Sequence, residues 1–231
     1  MTLVLGIRCK DTFVLCADQQ ITFVSSHKYR DEKLDAMERD GWSVTFGYSG
    51  LPGLYREVTQ KIMAILSSME KGANEGVVEE PPVELTFDEI YAAIEHVLNS
   101  MGRNEIQENL HMLFGIDTPR ETPRLLIFSN GGLHEAEQDD HLVFLGNGDS
   151  SLVRFLKDAL YPSRSPLLTV EQAKNLGIYL IARAAQYIDG VEEPISVAVV
   201  GCLVEWLSEK EIQQRKRTMT ELEGRVLKKF I

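Results

Sequence analysis

Apolar and polar residues alternate along residues 2–9 and again along 12–23, with Lys10-Asp11 between them. That period of two predicts a pair of strands joined as a hairpin. Residues 33–38 and 42–49 repeat the pattern across Arg39-Asp40-Gly41, where glycine suits a tight turn. After Gly50-Leu51-Pro52-Gly53 the period lengthens. Leu54, Val58, Ile62 and Ile65 fall on one face of a helix running to about Lys71. Residues 72–84 are acidic and proline-bearing, which predicts a surface loop. Thr86 caps a second helix, Glu89 completes a capping box, and Ile90, Ile94, Val97 and Met101 form its apolar stripe.

Three strands follow, at 109–117, 123–129 and 132–145, the last two joined by the hairpin signal Asn130-Gly131. Gly146-Asn147-Gly148-Asp149 leads into a helix near 150–160. A longer helix spans Val170–Tyr187, capped by Thr169, and residues 195–204 read as a buried strand. From Ser208 the chain is helical and highly charged, with Met219, Leu222, Val226 and Phe230 on one stripe. Runs of strands separated by pairs of helices predict an α+β fold with two antiparallel sheets and helices on both outer faces. No linker divides the chain. One domain over 1–204 is expected, with a helical extension over 205–231 packed on it or at a subunit interface.

Composition narrows the function. Of 231 residues 44% are apolar, and no run is long enough to cross a bilayer. Residues 1–20 lack the basic start and unbroken apolar stretch of a secretory signal. The net charge of −11 argues against nucleic-acid and anionic-membrane partners. Cys9, Cys16 and Cys202 are an odd number in apolar contexts, as expected of reduced cysteines in a cytoplasmic protein. The five histidines show no metal spacing, so neither metal nor cofactor is expected.

Thr2 follows the initiator methionine directly. Removal of Met1 would give one residue both a hydroxyl nucleophile and a free α-amine to take its proton. The α-amine titrates at about 7.7–8.0 in model compounds, close to a general base's working range. Many ordinary chains also begin Met-Thr, so the dipeptide by itself decides nothing.

Thr2-Leu3-Val4-Leu5-Gly6-Ile7, Lys10-Asp11, Ala17-Asp18, Thr22, Lys33-Leu34 and Ser49-Gly50, in this order and spacing, resemble proteasome β-type subunits. They resemble more distantly the bacterial two-ring protease HslV. The likeness is closest over residues 2–60 and extends by element order to about 204. It implies the four-layer α-β-β-α sandwich of N-terminal-nucleophile hydrolases. It implies a threonine-type endopeptidase acting through an acyl-enzyme on Thr2 inside an oligomeric ring. Polypeptide would be the substrate, and an α-type ring or an ATP-dependent unfoldase a possible partner. The scarcity of residues before Thr2 argues against an α-type gate subunit.

The same resemblance assigns roles. Thr2 is the nucleophile, Lys33 the cation beside it, and Asp18 the acid paired with that lysine. Lys28 is the alternative lysine, because this chain is one residue shorter between Asp18 and Lys33. Gly50 would offer its N–H to the oxyanion. Asn147 stands where the family has serine, and Asp189 matches the family's aspartate, but no serine follows it in Gly190–Pro194. Ile21, Thr22 and Tyr48 match substrate-binding positions, with Asp31 and Asp35 near the first side-chain pocket, where they would favour basic side chains. The two serine departures keep open a catalytically silent structural subunit. A small-amide hydrolase of the same chemistry is the other alternative.

Overall fold

The computed structural model describes residues 2–22, 28–72, 84–101, 106, 108–119, 121–136, 141–146, 151–160 and 166–227. Two five-stranded antiparallel sheets stack face to face. One runs β10-β1-β2-β11-β12, built from Leu142–Leu145, Val4–Arg8, Phe13–Asp18, Ile195–Val200 and Glu205–Trp206. The other runs β5-β6-β7-β8-β9, from Leu34–Arg39, Trp42–Gly50, Leu110–Asp117, Arg124–Ser129 and Gly132–Glu135. A separate ribbon pairs β3 (Gln20–Thr22) with β4 (Lys28–Arg30).

Three apolar layers hold this stack together. Between the sheets lie Val4, Leu15, Ala17, Leu34, Leu113, Leu125 and Val200. On the outer face of β5–β9, Trp42, Val44, Phe46 and Tyr48 meet the buried stripes of α1 (Pro52–Gly72) and α2 (Phe87–Ser100). On the other outer face, Leu5, Ile7, Val14 and Cys16 meet α4 (Val170–Tyr187) through Ile178, Leu180 and Ile181. The short helix α3 (Ser151–Leu160) adds Val153 to that layer. The result is the four-layer α-β-β-α sandwich. The inner strands β1, β2, β6, β7 and β11 are buried on both faces because each sheet is covered on both sides, whereas the edge strands β5, β9 and β12 are partly exposed.

Local signals act where expected. Thr86 and Glu89 form a reciprocal capping box at α2, and Thr169 does the same with Gln172 at α4. Asn130 and Gly131 both take positive φ in the β8–β9 turn.

Three predicted strands are corrected. The run 12–23 breaks at Gln19, whose N–H donates to the Pro194 carbonyl at 3.0 Å while its own carbonyl accepts from Asp31. Beyond that point the chain leaves the main sheet for the β3–β4 ribbon. The run 132–145 is two edge strands of different sheets, β9 and β10. The strand 195–204 ends at Val200, and Leu203, expected in its buried interior, is 78% exposed before β12 begins. Periodicity reports alternate burial, not the sheet to which a segment belongs.

The charged helix α5 (Glu209–Leu227) lies along α4. Tyr179 donates to Glu223 at 3.2 Å, Arg215 pairs with Glu171 at 2.8 Å, and Arg183 pairs with Glu223. Lys216 pairs with Glu193 in the segment before β11. Ile212 supplies the apolar anchor. Leu222 of the predicted stripe is largely exposed; the side chains of Val226 and Phe230 lie outside the described residues.

Candidate active site

Asp18 is the last residue of β2, opposite Ile195 of β11, and is fully buried. Its backbone N–H donates to the Leu3 carbonyl at 3.2 Å. Leu3 returns its own N–H to Asp18 Oδ1 at 2.7 Å. The second carboxylate oxygen, Oδ2, accepts from Lys33 Nζ at 2.7 Å and from the Gln20 N–H at 3.2 Å. One carboxylate therefore ties the residue next to Thr2 to the lysine.

Lys33 immediately precedes β5, and its carbonyl accepts the Tyr48 N–H of β6 at 3.2 Å. Its side chain is as completely buried as that of Asp18. Burial pushes the Asp18 carboxyl upward, against the pull of Lys33 and the Leu3 N–H. Burial likewise pushes the Lys33 ammonium downward, against the charge and hydrogen bond of Asp18. A lysine with weakened hold on its proton, held by a single carboxylate, is suited to neighbouring acid–base chemistry. Of the two candidate lysines, Lys33 is the one bound to Asp18. Lys28 lies on β4 with its backbone opposite Thr22.

Thr2 itself is partly exposed. Gly146 closes in behind it, just after β10, with φ +125°. A Cβ at Gly146 would overlap the Thr2 carbonyl oxygen, so only glycine lets the two backbones approach. Neither Gly146 nor the Leu3 amide stood out in the sequence; the first hint was only that glycines flank Asn147. Asn147 itself lies outside the described residues.

Gly50 ends β6 at φ +132°, where a Cβ would collide with the Asn109 carbonyl oxygen. That carbonyl also accepts the Leu51 N–H at 2.9 Å. Glycine is therefore demanded here by the strand-to-helix junction, independently of any oxyanion. Asp189 sits exposed in the turn after α4 and makes no hydrogen bond to Thr2 among the described residues. Ile21 and Thr22 lie on β3, with backbones opposite Tyr29 and Lys28.

Tyr48 is 1% exposed and stacks on Tyr55 of α1, ring centres 3.9 Å apart and nearly parallel. Asp31, expected to attract a basic side chain, is already bound by Arg56 at 2.8 Å, with the Tyr48 hydroxyl 3.5 Å away. Arg56 and Tyr55 were not anticipated. Their α1 positions read only as part of a helix, and their partners lie more than twenty residues away for Arg56 and across a helix–sheet interface for Tyr55. Among the described residues no cluster of three His, Cys, Asp or Glu could hold a metal ion, and no helix is long and apolar enough to cross a membrane.

Comparison with known proteins places this geometry. The family profile described as proteasome subunit matches residues 2–200. No curated protein sequence matches the chain. Among solved structures, Anbu (ancestral beta-subunit) from Yersinia bercovieri superposes with a TM-score of 0.72 at 15% identity, covering 97% of this chain and 96% of that one. A (Gly-1) mutant of Anbu from Hyphomicrobium sp. strain MC1 gives 0.70 at 14% identity, covering 99% and 97%. A structure described as the helical assembly of the Anbu complex from Pseudomonas aeruginosa gives 0.66 at 14%, covering 98% and 96%. At such identities these structures speak for the fold alone.

Proposed function

We propose, given that the chain belongs to the proteasome subunit family, that it is a threonine-type endopeptidase whose nucleophile is Thr2 once Met1 has been removed. The observation that carries this reading is the single buried carboxylate of Asp18, which binds the Leu3 amide and the Lys33 ammonium together. A cation is thereby anchored beside the start of the chain, where a threonine hydroxyl and α-amine would stand.

The steps follow from those groups. The Thr2 hydroxyl oxygen bonds to the substrate's carbonyl carbon while its proton passes to the α-amine, directly or through one water. Lys33 stabilises the forming alkoxide, and Asp18 keeps Lys33 charged and in place. The Gly50 N–H receives the carbonyl oxygen as it becomes an oxyanion. The protonated α-amine then gives its proton to the leaving nitrogen, and the C–N bond breaks, leaving an ester on Thr2. Water, deprotonated by the same amine, hydrolyses that ester. Asn147 and Asp189 occupy the family positions that orient the amine, a role Asp189 could take only by a contact to Thr2 that is absent among the described hydrogen bonds. Ile21 and Thr22 bind the polypeptide, with the edge of β3 pairing to it as a strand would; Tyr48, buried against Tyr55, supports the site without touching the substrate. Self-association into a ring or helical array encloses the sites, as the assembly described for the Pseudomonas aeruginosa relative suggests. The proposed 205–231 extension gives β12 to the first sheet and adds α5 as an outer element. An α-type ring or an unfoldase would feed a ring from outside, and a cytoplasmic setting suits three unpaired cysteines.

A second reading is favoured by a specific observation. Asn147 replaces the family serine, and Gly190–Pro194 contains no serine after Asp189. A structural subunit without turnover would tolerate both. Intact mass of the purified native chain separates the readings. Loss of one methionine and covalent labelling of Thr2 by a peptide epoxyketone support the peptidase. Retained Met1, or turnover unchanged by Thr2→Ala, overturns it. Cleavage of small amides in preference to acylated peptides would identify an amidase instead.

A further inference from the structure

Where β5 faces β11 and β12 at the edge of the sandwich, a cavity of about 510 Å³ opens. Its wall includes apolar side chains such as Ile212, and Trp206 stands in it 45% exposed. Four acidic residues line it, Glu32, Asp35, Glu38 and Glu209, and no Lys, Arg or His does, although the Asp35 side chain, alternating with Leu34, faces the Tyr55 side of the strand. Several acidic side chains elsewhere meet cations, as Asp31 meets Arg56, Glu171 meets Arg215 and Glu223 meets Arg183. Among the described residues the carboxylates of Glu32, Glu38 and Glu209 have no such partner. An apolar floor, an open indole and uncompensated carboxylates together select a ligand that is both cationic and apolar.

One stretch of this acidic chain has that composition. Arg225-Val226-Leu227-Lys228-Lys229-Phe230-Ile231 carries three cations and four apolar residues, with no acid, in a chain of net charge −11. The groove cannot receive it from its own chain. Glu209 and Ile212 of α5 line the groove, so the helix starts there and runs away. At 1.5 Å per residue the path from Ile212 to Leu227 covers about 22 Å. The four residues beyond reach at most about 14 Å when fully extended. We propose that this groove binds residues 225–231 of a second copy of the chain. The contact names surfaces for self-association and stands apart from whatever Thr2 does.

Charge exchange tests it. In sedimentation velocity on the full chain, Glu32→Lys/Glu38→Lys weakens self-association by roughly tenfold or more, and Lys228→Glu/Lys229→Glu does the same. Combining all four changes restores most of the loss, because the reversed patches again attract. Far-ultraviolet circular dichroism spectra of the variants match wild type, which separates loss of association from loss of fold. The Lys228→Glu/Lys229→Glu chain, its groove unfilled, binds a labelled peptide of residues 225–231 saturably and quenches or shifts Trp206 emission. Adding Glu32→Lys/Glu38→Lys to that chain weakens peptide binding by roughly tenfold. The proposal is overturned if either pair leaves association unchanged, if the combined variant associates no better than the weaker pair, or if the peptide does not bind. Each of these outcomes leaves the peptidase reading untouched, and a chain with Met1 retained leaves this one untouched.

Discussion

The Lys33 ammonium lies 2.7 Å from Asp18 Oδ2, and solvent reaches neither side chain. Removing one partner strands the other's charge in the interior, which costs about 3–5 kcal/mol, whereas removing both leaves no charge to strand. Asp18→Asn retains an oxygen for the Leu3 N–H and so isolates the effect of charge. We expect Lys33→Met and Asp18→Asn each to cost about 3–5 kcal/mol in urea unfolding, and the double variant far less than their sum. Strict additivity would show that the two groups are not coupled.

The same pair sets a pH dependence with a definite sign. In Lys33→Met, Asp18 loses the ammonium that opposed burial, so its pKa rises further above the unfolded value. The folded state then binds the proton more tightly than the unfolded state between those two values. Stability is therefore greatest on the acid side and falls as pH rises through that window. Unfolding midpoints of the variant at pH 5 and pH 7 should differ in that direction, with a smaller difference in the wild type.

Gly146 offers a way to disturb Thr2 while leaving the proposed chemical groups intact. A methyl group there overlaps the Thr2 carbonyl oxygen at a backbone angle that disfavours any L side chain. Gly146→Ala should cost about 1–3 kcal/mol of stability and displace Thr2. Peptide hydrolysis should fall by about 100-fold or more at temperatures where the chain stays folded, as expected for a reacting group moved by an ångström. Full activity in a destabilised protein would detach this glycine from the site.

Gly50→Ala has a different expected profile. Its Cβ meets the Asn109 carbonyl, so the strand-to-helix junction must shift, with a loss of about 1–3 kcal/mol. If Gly50 also receives the oxyanion, kcat falls by about 100-fold or more with little change in KM. Loss of stability without that kcat effect would leave it a junction residue only.

The three cysteines should divide cleanly. Burial pushes the Cys9 thiol up to about 11 and the Cys16 thiol higher still, so both stay protonated and shielded. Cys202 is exposed, though partial burial and the nearby Asp117 charge raise its pKa as well. A disulfide reagent at pH 8 should titrate one thiol slowly in the folded chain and three after denaturation. A rapid reaction of two or three in the folded chain would contradict this packing.

Much of this architecture was readable from local chemistry. Thr86 with Glu89 specified a helix start, Asn130-Gly131 a hairpin, and the alternation through residues 42–49 a strand paired with 33–38, because each acts over a few residues. Asp18 and Lys33 could be named as partners, and the chain could be likened to a family, since order and spacing survive in sequence. Which sheet each strand joins was settled only in three dimensions. The breaks at Gln19 and between β9 and β10 depend on hydrogen bonds to Pro194 and on two sheets offering separate edges. The Leu3 amide on Asp18, Gly146 against Thr2, Arg56 on Asp31 and the acidic groove facing Trp206 arise the same way. Each joins residues far apart along the chain, and periodicity carries no information about distance across a core.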